Sequence, residues 1–386
     1  MAGAIIAIAM RILAIDIGTG TQDIVLFDST QPVENGLQLI MPSPTQIAAS
    51  RIRRATENGR AVFLAGVIAG GGPCHWALED HLRNGKKAFA TPDAAATFDD
   101  DLGNVERMGV TLVSDDEATS LDAERIELRD LDLEAVREAF AAFDVDTRFD
   151  GFALGCLDHG AAPPGYSDRL FRFDHLRRVV EERNDLRTFA FLPQELPDYL
   201  TRARALLSCL DAEAPAVFLD TGPAAALGAL QDPVVQKREE QLILNLGNMH
   251  ALAFHLEGTR ILSLYEHHTG EVTRDQIEDF TERLLMGTLP HEDVFGSKGH
   301  GVYYAVEDRG ARSQEPASPL VAVTGPQRNK LRGSRLEPYF ASPHGDMMVA
   351  GCFGLLWAFA EKYPDDREEI RTALGVAHAD VSVGRG

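Results

Sequence analysis

Apolar positions come mostly in short, nearly unbroken runs bounded by glycine-rich or polar turns. Residues 11–16, 23–28 and 37–41 form three such runs. They predict an antiparallel hairpin extended by a third strand. Thr45 caps a predicted helix to about residue 58, where Gly59 stops it. A buried strand over 61–69, a helix over 75–84 and a strand over 86–90 follow. This alternation is the signature of an α/β domain with mixed strand pairing. After a strand at 152–156 and helices at 174–184 and 196–210, a similar pattern opens again near residue 215. It comprises a strand at 216–219, a small-residue helix at 222–230 and a strand at 241–245. A hairpin over 250–264, a helix at 273–286, a strand at 319–323 and a last helix at 346–361 complete it. Each half thus opens strand, glycine turn, strand, strand, which suggests two similar domains without recognisable sequence repetition.

Length agrees with that division, since 386 residues exceed one ordinary core. The net charge of -22 disfavours nucleic acid and anionic membranes as partners. A phosphate-bearing ligand must then be held locally, by backbone N–H groups and a cation. The acidic stretch 93–150, with Asp99, Asp100, Asp101, Asp115, Asp116 and Glu117, reads as a peripheral strand-and-helix insertion whose charge runs are solvated faces. Cys74, Cys156, Cys209 and Cys352 are widely scattered, which supports neither a disulfide framework nor a zinc knuckle. A reducing, cytoplasmic setting is expected. Residues 1–9 read as an extension ahead of a natural start at Met10, and no run reaches the ~18 apolar residues needed to span a bilayer.

The chemistry-bearing motif of the first hairpin is Asp16-Ile17-Gly18-Thr19-Gly20-Thr21-Gln22-Asp23. A glycine turn lets backbone N–H groups approach a phosphate, Thr19 and Thr21 add hydroxyls, and Asp16 can hold Mg²⁺. The segment resembles the first phosphate loop of the actin-like ATPases, the superfamily of acetate and sugar kinases, Hsp70 and actin. Four more segments resemble that family's parts in its own order. Gly222-Pro223-Ala224-Ala225-Ala226-Leu227-Gly228 is similar to the first connecting helix, and Leu244-Asn245-Leu246-Gly247-Asn248-Met249-His250 to the second phosphate loop. Val321-Ala322-Val323-Thr324-Gly325-Pro326-Gln327-Arg328 is similar to the adenosine loop. Gly345-Asp346-Met347-Met348-Val349-Ala350-Gly351-Cys352-Phe353-Gly354 is similar to the second connecting helix.

The resemblance implies an α/β fold of two ribonuclease-H-like domains, each a mixed five-stranded sheet flanked by helices, with the nucleotide in the cleft between them. The expected bounds are 10–215 and 216–345, with 346–362 as a connecting helix returning to the first domain. It implies ATP and Mg²⁺ as cofactors, with Gly18, Thr19, Gly20, Thr21, Gly247, Asn248, His250, Gly325 and Arg328 binding nucleotide and Asp16 holding the metal. Two departures stand out. Asn245 occupies a position that is usually Asp, and His250 one that usually bears a hydroxyl. Asp220, just before the first connecting helix, is a candidate catalytic carboxylate beside Asp16. The chain also resembles, through residues 16–23, Glu266-His267-His268-Thr269-Gly270 and Gly299-His300-Gly301, an archaeal and bacterial family labelled for pyruvate formate-lyase activation. Radical activation of that kind needs three cysteines at short spacing, which this sequence lacks.

Several histidines adjoin glycine, and His159, His267, His268 and His300 are candidate cleft residues, as ligands or acid/base groups. Adjacent His267 and His268 also fit a strand end, one exposed and the other hydrogen-bonded. Three readings remain open at this level. The first is a phosphotransferase or ATPase acting on a small molecule or protein. The second is a nucleotide-binding regulator without efficient turnover, and the third a metal-binding protein on the same fold. The sequence leaves oligomerisation open.

Overall fold

A computed structural model describes residues 10–305 and 319–376; the extension 1–9 lies outside them. Strands β1 (Arg11–Ile17), β2 (Thr21–Asp28) and β3 (Leu37–Pro42) pair antiparallel in sequence order. Ile12, Leu13, Ala14 and Ile15 are all fully buried, because both faces of the sheet are covered. The chain then leaves to build a separate parallel sheet from β4 (Ala61–Gly66), β5 (Ala88–Ala90), β6 (Val110–Leu112) and β7 (Ala123–Leu128), in the order β6-β5-β4-β7. The acidic stretch is therefore no separate appendage, for two of its segments pair with strands upstream of it. In β7, Ile126 and Leu128 turn inward while Arg125 and Glu127 turn out, so charge and a strand coexist.

The chain rejoins the first sheet as β8 (Gly151–Cys156), parallel to β1. The two-residue β9 (Ala190–Phe191) and β10 (Ala216–Asp220) complete it in the order β3-β2-β1-β8-β10-β9. The second sheet uses β11 (Glu240–Leu246), β12 (His250–Glu257), β13 (Arg260–His268), β14 (Gly301–Tyr304), β15 (Leu320–Thr324) and β16 (Tyr339–Phe340). Its order is β14-β13-β12-β11-β15-β16. Without β9 and β14, both sheets share one plan of three antiparallel strands followed by two parallel ones. Each sheet thus holds six strands rather than the expected five, the extra strand sitting at an edge.

Two helices lock the sheets together. Thr221–Ala229 follows β10 yet packs on β11 and β15, and Ala350–Lys362 follows β16 yet packs on β1, β8 and β10. A Cβ on Gly228 would overlap the Ala350 carbonyl, and one on Gly354 that of Ala224. Small residues therefore permit a backbone-to-backbone crossing. Both helices are apolar on nearly every side, as a helix wrapped in protein must be.

Candidate functional site

The β1–β2 and β11–β12 turns are built alike. Gly18 N–H donates to the Thr21 carbonyl at 2.9 Å, and Gly247 N–H donates to the His250 carbonyl at 2.9 Å. Both turns line one cleft of about 850 Å³, together with Asp16, Asn245, Gly325 and Met347. They meet directly, since a Cβ on Gly20 would run into the Asn248 carboxamide. Gln327 Nε2 donates to Asn248 Oδ1 at 3.2 Å and steadies that contact. Gly18, Thr19, Thr21, Gly247, Asn248, His250 and Gly325 thus share a cavity, as does Asn245.

Asp16 ends β1 and lies opposite Asp23 of β2 in register. The Thr221 hydroxyl donates to Asp16 Oδ1, while Asp23 Oδ1 is buried with no hydrogen-bond partner among the described residues. Burial pushes the Asp16 carboxyl up to about 7, with the Thr221 bond opposing and the charges of Asp23 and Asp220 adding to the rise. Burial likewise pushes Asp23 up to about 7, against a hydrogen bond from Thr21 and with Asp346 adding to it. A buried and a half-buried carboxylate without a compensating cation are costly to ionise together, and oxygen donors of this kind suit a hard divalent ion. Asp23 was not among the candidates from sequence. The hairpin could have pointed to it, because the 18–21 turn places 16 and 23 face to face.

Gly325, Pro326, Met347 and Met348 form a less polar flank of the cleft. Gly325 takes φ +93, and a Cβ there would strike the Leu246 carbonyl and the Asn245 side chain, so glycine brings this loop onto β11. Arg328 does not line the cavity but latches the loop from behind, donating to the Gly325 carbonyl and to Met347 Sδ, both at 3.3 Å. Asp220 is also placed differently from expectation. It is 3 % exposed, caps the Thr221–Ala229 helix through Gly222 N–H at 3.0 Å, and accepts from Arg172 at 2.5 and 3.0 Å. A carboxylate held in that way is an anchor and not a free acid or base.

Arg172, itself fully buried, also reaches Glu266 of β13, with Nε at 3.3 Å from Oε2. Burial alone would raise the Glu266 carboxyl, but Arg172, His300 and His250 hold it well below the usual carboxylate range. Glu266 Oε1 lies 3.2 Å from His250 Nδ1. Around that pair the fold gathers four imidazoles. The His250 ring centre is 4.9 Å from that of His268, 5.0 Å from His300 and 5.1 Å from His159. Burial holds His159 well below the usual imidazole range, His268 down to about 4 and His300 to about 3, with neighbouring positive groups adding to the effect. His267 points the other way on the pleat, its Nδ1 3.1 Å from the His268 carbonyl and its Nε2 3.2 Å from Ser297 Oγ. A second chamber of about 1410 Å³ adjoins the cleft, sharing Thr19, Leu157, Arg202, Met249 and His250 with it.

Paired sheets of this plan, joined by crossing helices around a two-turn cleft, are the α/β arrangement that the sequence resemblance to the actin-like fold implies. The chain belongs to the family described as "Putative pyruvate format-lyase activating enzyme (DUF1786)", whose model matches residues 69–330. Among solved structures it is similar to a ROK family transcriptional regulator described as a homolog of the E. coli MLC protein. That match has 12% identity and TM-score 0.26, covering 66% of this chain and 38% of that one. It is similar to the ROK hexokinase of Thermus thermophilus at 14% identity and TM-score 0.26, covering 66% and 49%. It is also similar to a Ppx/GppA family member of Aquifex aeolicus at 11% identity and TM-score 0.28, covering 95% and 88%. The chain spans less than half the length of the first two. No curated protein matches it. Among the described residues no three cysteines gather into a ligand group, and no helix is long and apolar enough to cross a membrane.

Proposed function

We propose that the chain binds ATP with Mg²⁺ in the cleft between its two sheets and acts as a phosphotransferase or ATPase. The observation carrying this reading is the meeting of two glycine turns, at Gly18–Thr21 and Gly247–His250, above the Asp16/Asp23 pair. Turn N–H groups and the Thr19 and Thr21 hydroxyls would hold the phosphates, and Asp16 and Asp23 would hold the cation. The cation would supply charge neutralisation, the main requirement of phosphoryl transfer. The Gly325 loop and Met347 would take the base and ribose.

Titration calorimetry of the full chain with Mg²⁺-ATP tests this. The wild type should bind, and Asp16→Asn should lower affinity at least tenfold, about 1.4 kcal/mol. Equal affinities would make Asp16 structural, and no binding by the wild type would remove the proposal. A second reading, binding without efficient turnover, is favoured by Asn245, which cannot act as a base, and by the engagement of Asp220 with Arg172. Release of phosphate from ATP by the wild type separates the two.

A further inference from the structure

Three histidines that are remote in sequence converge beside the cleft. The structure assigns His159, His250 and His300 as the ligands of a transition-metal centre, a site for one borderline divalent ion such as Zn²⁺ or Co²⁺. One ring nitrogen of each lies within 4.8 Å of the others. Closing side chains onto an ion at the usual distance of about 2.0–2.1 Å needs modest movement. His300 supplies an independent pointer to a ligand. It is fully buried, yet neither ring nitrogen has a hydrogen-bond partner among the described residues. An imidazole left in that condition forgoes hydrogen bonds that water would provide, at a cost of about 1–3 kcal/mol per unsatisfied group. A bound cation would satisfy one of the two nitrogens.

The surroundings are those of a held ligand set. His300 is seated by close packing on both sides, since a Cβ on Gly299 would meet Val294 and His267, and one on Gly301 would meet His291. The backbone N–H of His300 donates to the Glu266 backbone carbonyl at 2.9 Å. The Glu266 carboxylate lies 3.2 Å from His250 Nδ1, so the tautomer that donates to it from Nδ1 presents Nε2 as a lone pair. This carboxylate–imidazole pairing is how metal-binding histidines are usually oriented. Arg172 in turn fixes Glu266 and Asp220 together, which ties the ligand set to the helix that crosses between the sheets. His268 abuts His250 and His300 but lies outside the three-nitrogen set. His159, His250 and His268 all open onto the second chamber, so a fourth ligand would come from there. Three neutral imidazoles leave the ion its full charge, which suits water or an anionic oxygen at that position.

The full chain, stripped with a chelator, should take up one Zn²⁺ in a competition titration without nucleotide, and its melting temperature should rise. Co²⁺ in place of Zn²⁺ should give the d–d absorption of an imidazole-ligated ion. His159→Ala and His300→Ala should each weaken binding at least a hundredfold, and Glu266→Gln tenfold to a hundredfold. Failure of the wild type to bind either ion stoichiometrically would overturn the assignment, as would uptake unchanged by both histidine variants. If a variant does not fold, the Co²⁺ spectrum of the wild type decides alone. The Mg²⁺-ATP titration is run separately, so either reading can fail without the other.

Discussion

The two sheets present the same turn with different chemistry. In the first, Asp16 and Asp23 flank the glycine turn on paired strands; at the matching positions of the second stand Asn245 and Leu252. Thr21 corresponds to His250, each carbonyl accepting from the glycine three residues earlier. One strand further out, Asp23 faces Ile40 whereas Leu252 faces Glu266, and Thr21 faces Pro42 whereas His250 faces His268. The backbone plan is thus indifferent to what it carries. One copy gathers carboxylate oxygens, the natural donors for Mg²⁺, and the other gathers imidazoles, the natural donors for a softer ion. Two cation sites of unlike hardness on one cleft would not compete for the same metal.

Arg172 is where the two chemistries are joined, since it pairs with Asp220 of the first sheet and Glu266 of the second. Replacing it by methionine leaves two carboxylates buried with no cation, so the largest effect is expected here. Arg172→Met should cost about 3–5 kcal/mol in denaturant unfolding, as removal of one partner from a buried pair generally does. It should also weaken Zn²⁺ binding, by no more than the tenfold to hundredfold expected of Glu266→Gln, because Glu266 would no longer be held against His250. Loss of less than about 1 kcal/mol would mean that the two halves are not coupled through this residue.

The first sheet makes a smaller, pH-dependent prediction. In the unfolded chain Asp16 titrates near the ordinary aspartate value of 3.8, and in the fold burial pushes it up to about 7. Between those values the folded protein holds a proton that the unfolded chain has lost, so stability falls as pH rises through that window. Asp16→Asn removes the penalty. Without added Mg²⁺ the variant should exceed the wild type by about 1–3 kcal/mol at pH 8, with the gap closing toward pH 4. Asp23, which burial also raises to about 7, leaves a contribution of the same sign in the variant. Thermal unfolding across pH measures this. A gap independent of pH would show that Asp16 is solvated.

Much of this organisation was legible in the residues. Unbroken apolar runs placed β1, β2 and β3, and the small residues of 222–228 and 345–354 pointed to a close helix crossing, because only such residues let backbones touch. β7 was hidden because Arg125 and Glu127 give it a polar face and Glu124 interrupts the apolar one, so it merged with the acidic stretch. β14 escaped as a four-residue edge strand. The carboxylate pair needed only the rule that a tight hairpin places flanking residues opposite one another. The histidine cluster is different in kind. Residues 159, 250 and 300 come from three separated segments, and no spacing along the chain brings them together. The register of β12 on β13, the packing of the 299–301 loop and the end of β8 do so only in three dimensions.

The smallest expected effect concerns the residue in which the second turn departs most plainly from the first. Asn245 lines the cleft near the end of β11, in the position that Asp16 holds on β1, and its side chain packs against Gly325. It has the size and shape of aspartate but no charge and no basicity. Asn245→Asp would therefore add a carboxylate without a steric change and make the two turns more alike. A third carboxylate beside Asp16 and Asp23 is unfavourable in the free protein, so the variant should be slightly less stable without Mg²⁺ and recover with it. If lack of a base limits turnover, steady-state phosphate release from ATP should rise a few-fold, about 1 kcal/mol in the barrier. Calorimetric affinity for Mg²⁺-ATP should change less than the rate, because the added group acts on the reacting phosphate more than on the bound one. A rate that stays flat while affinity rises would mean that position 245 only recruits the cation. The difference between the turns would then be one of metal binding alone.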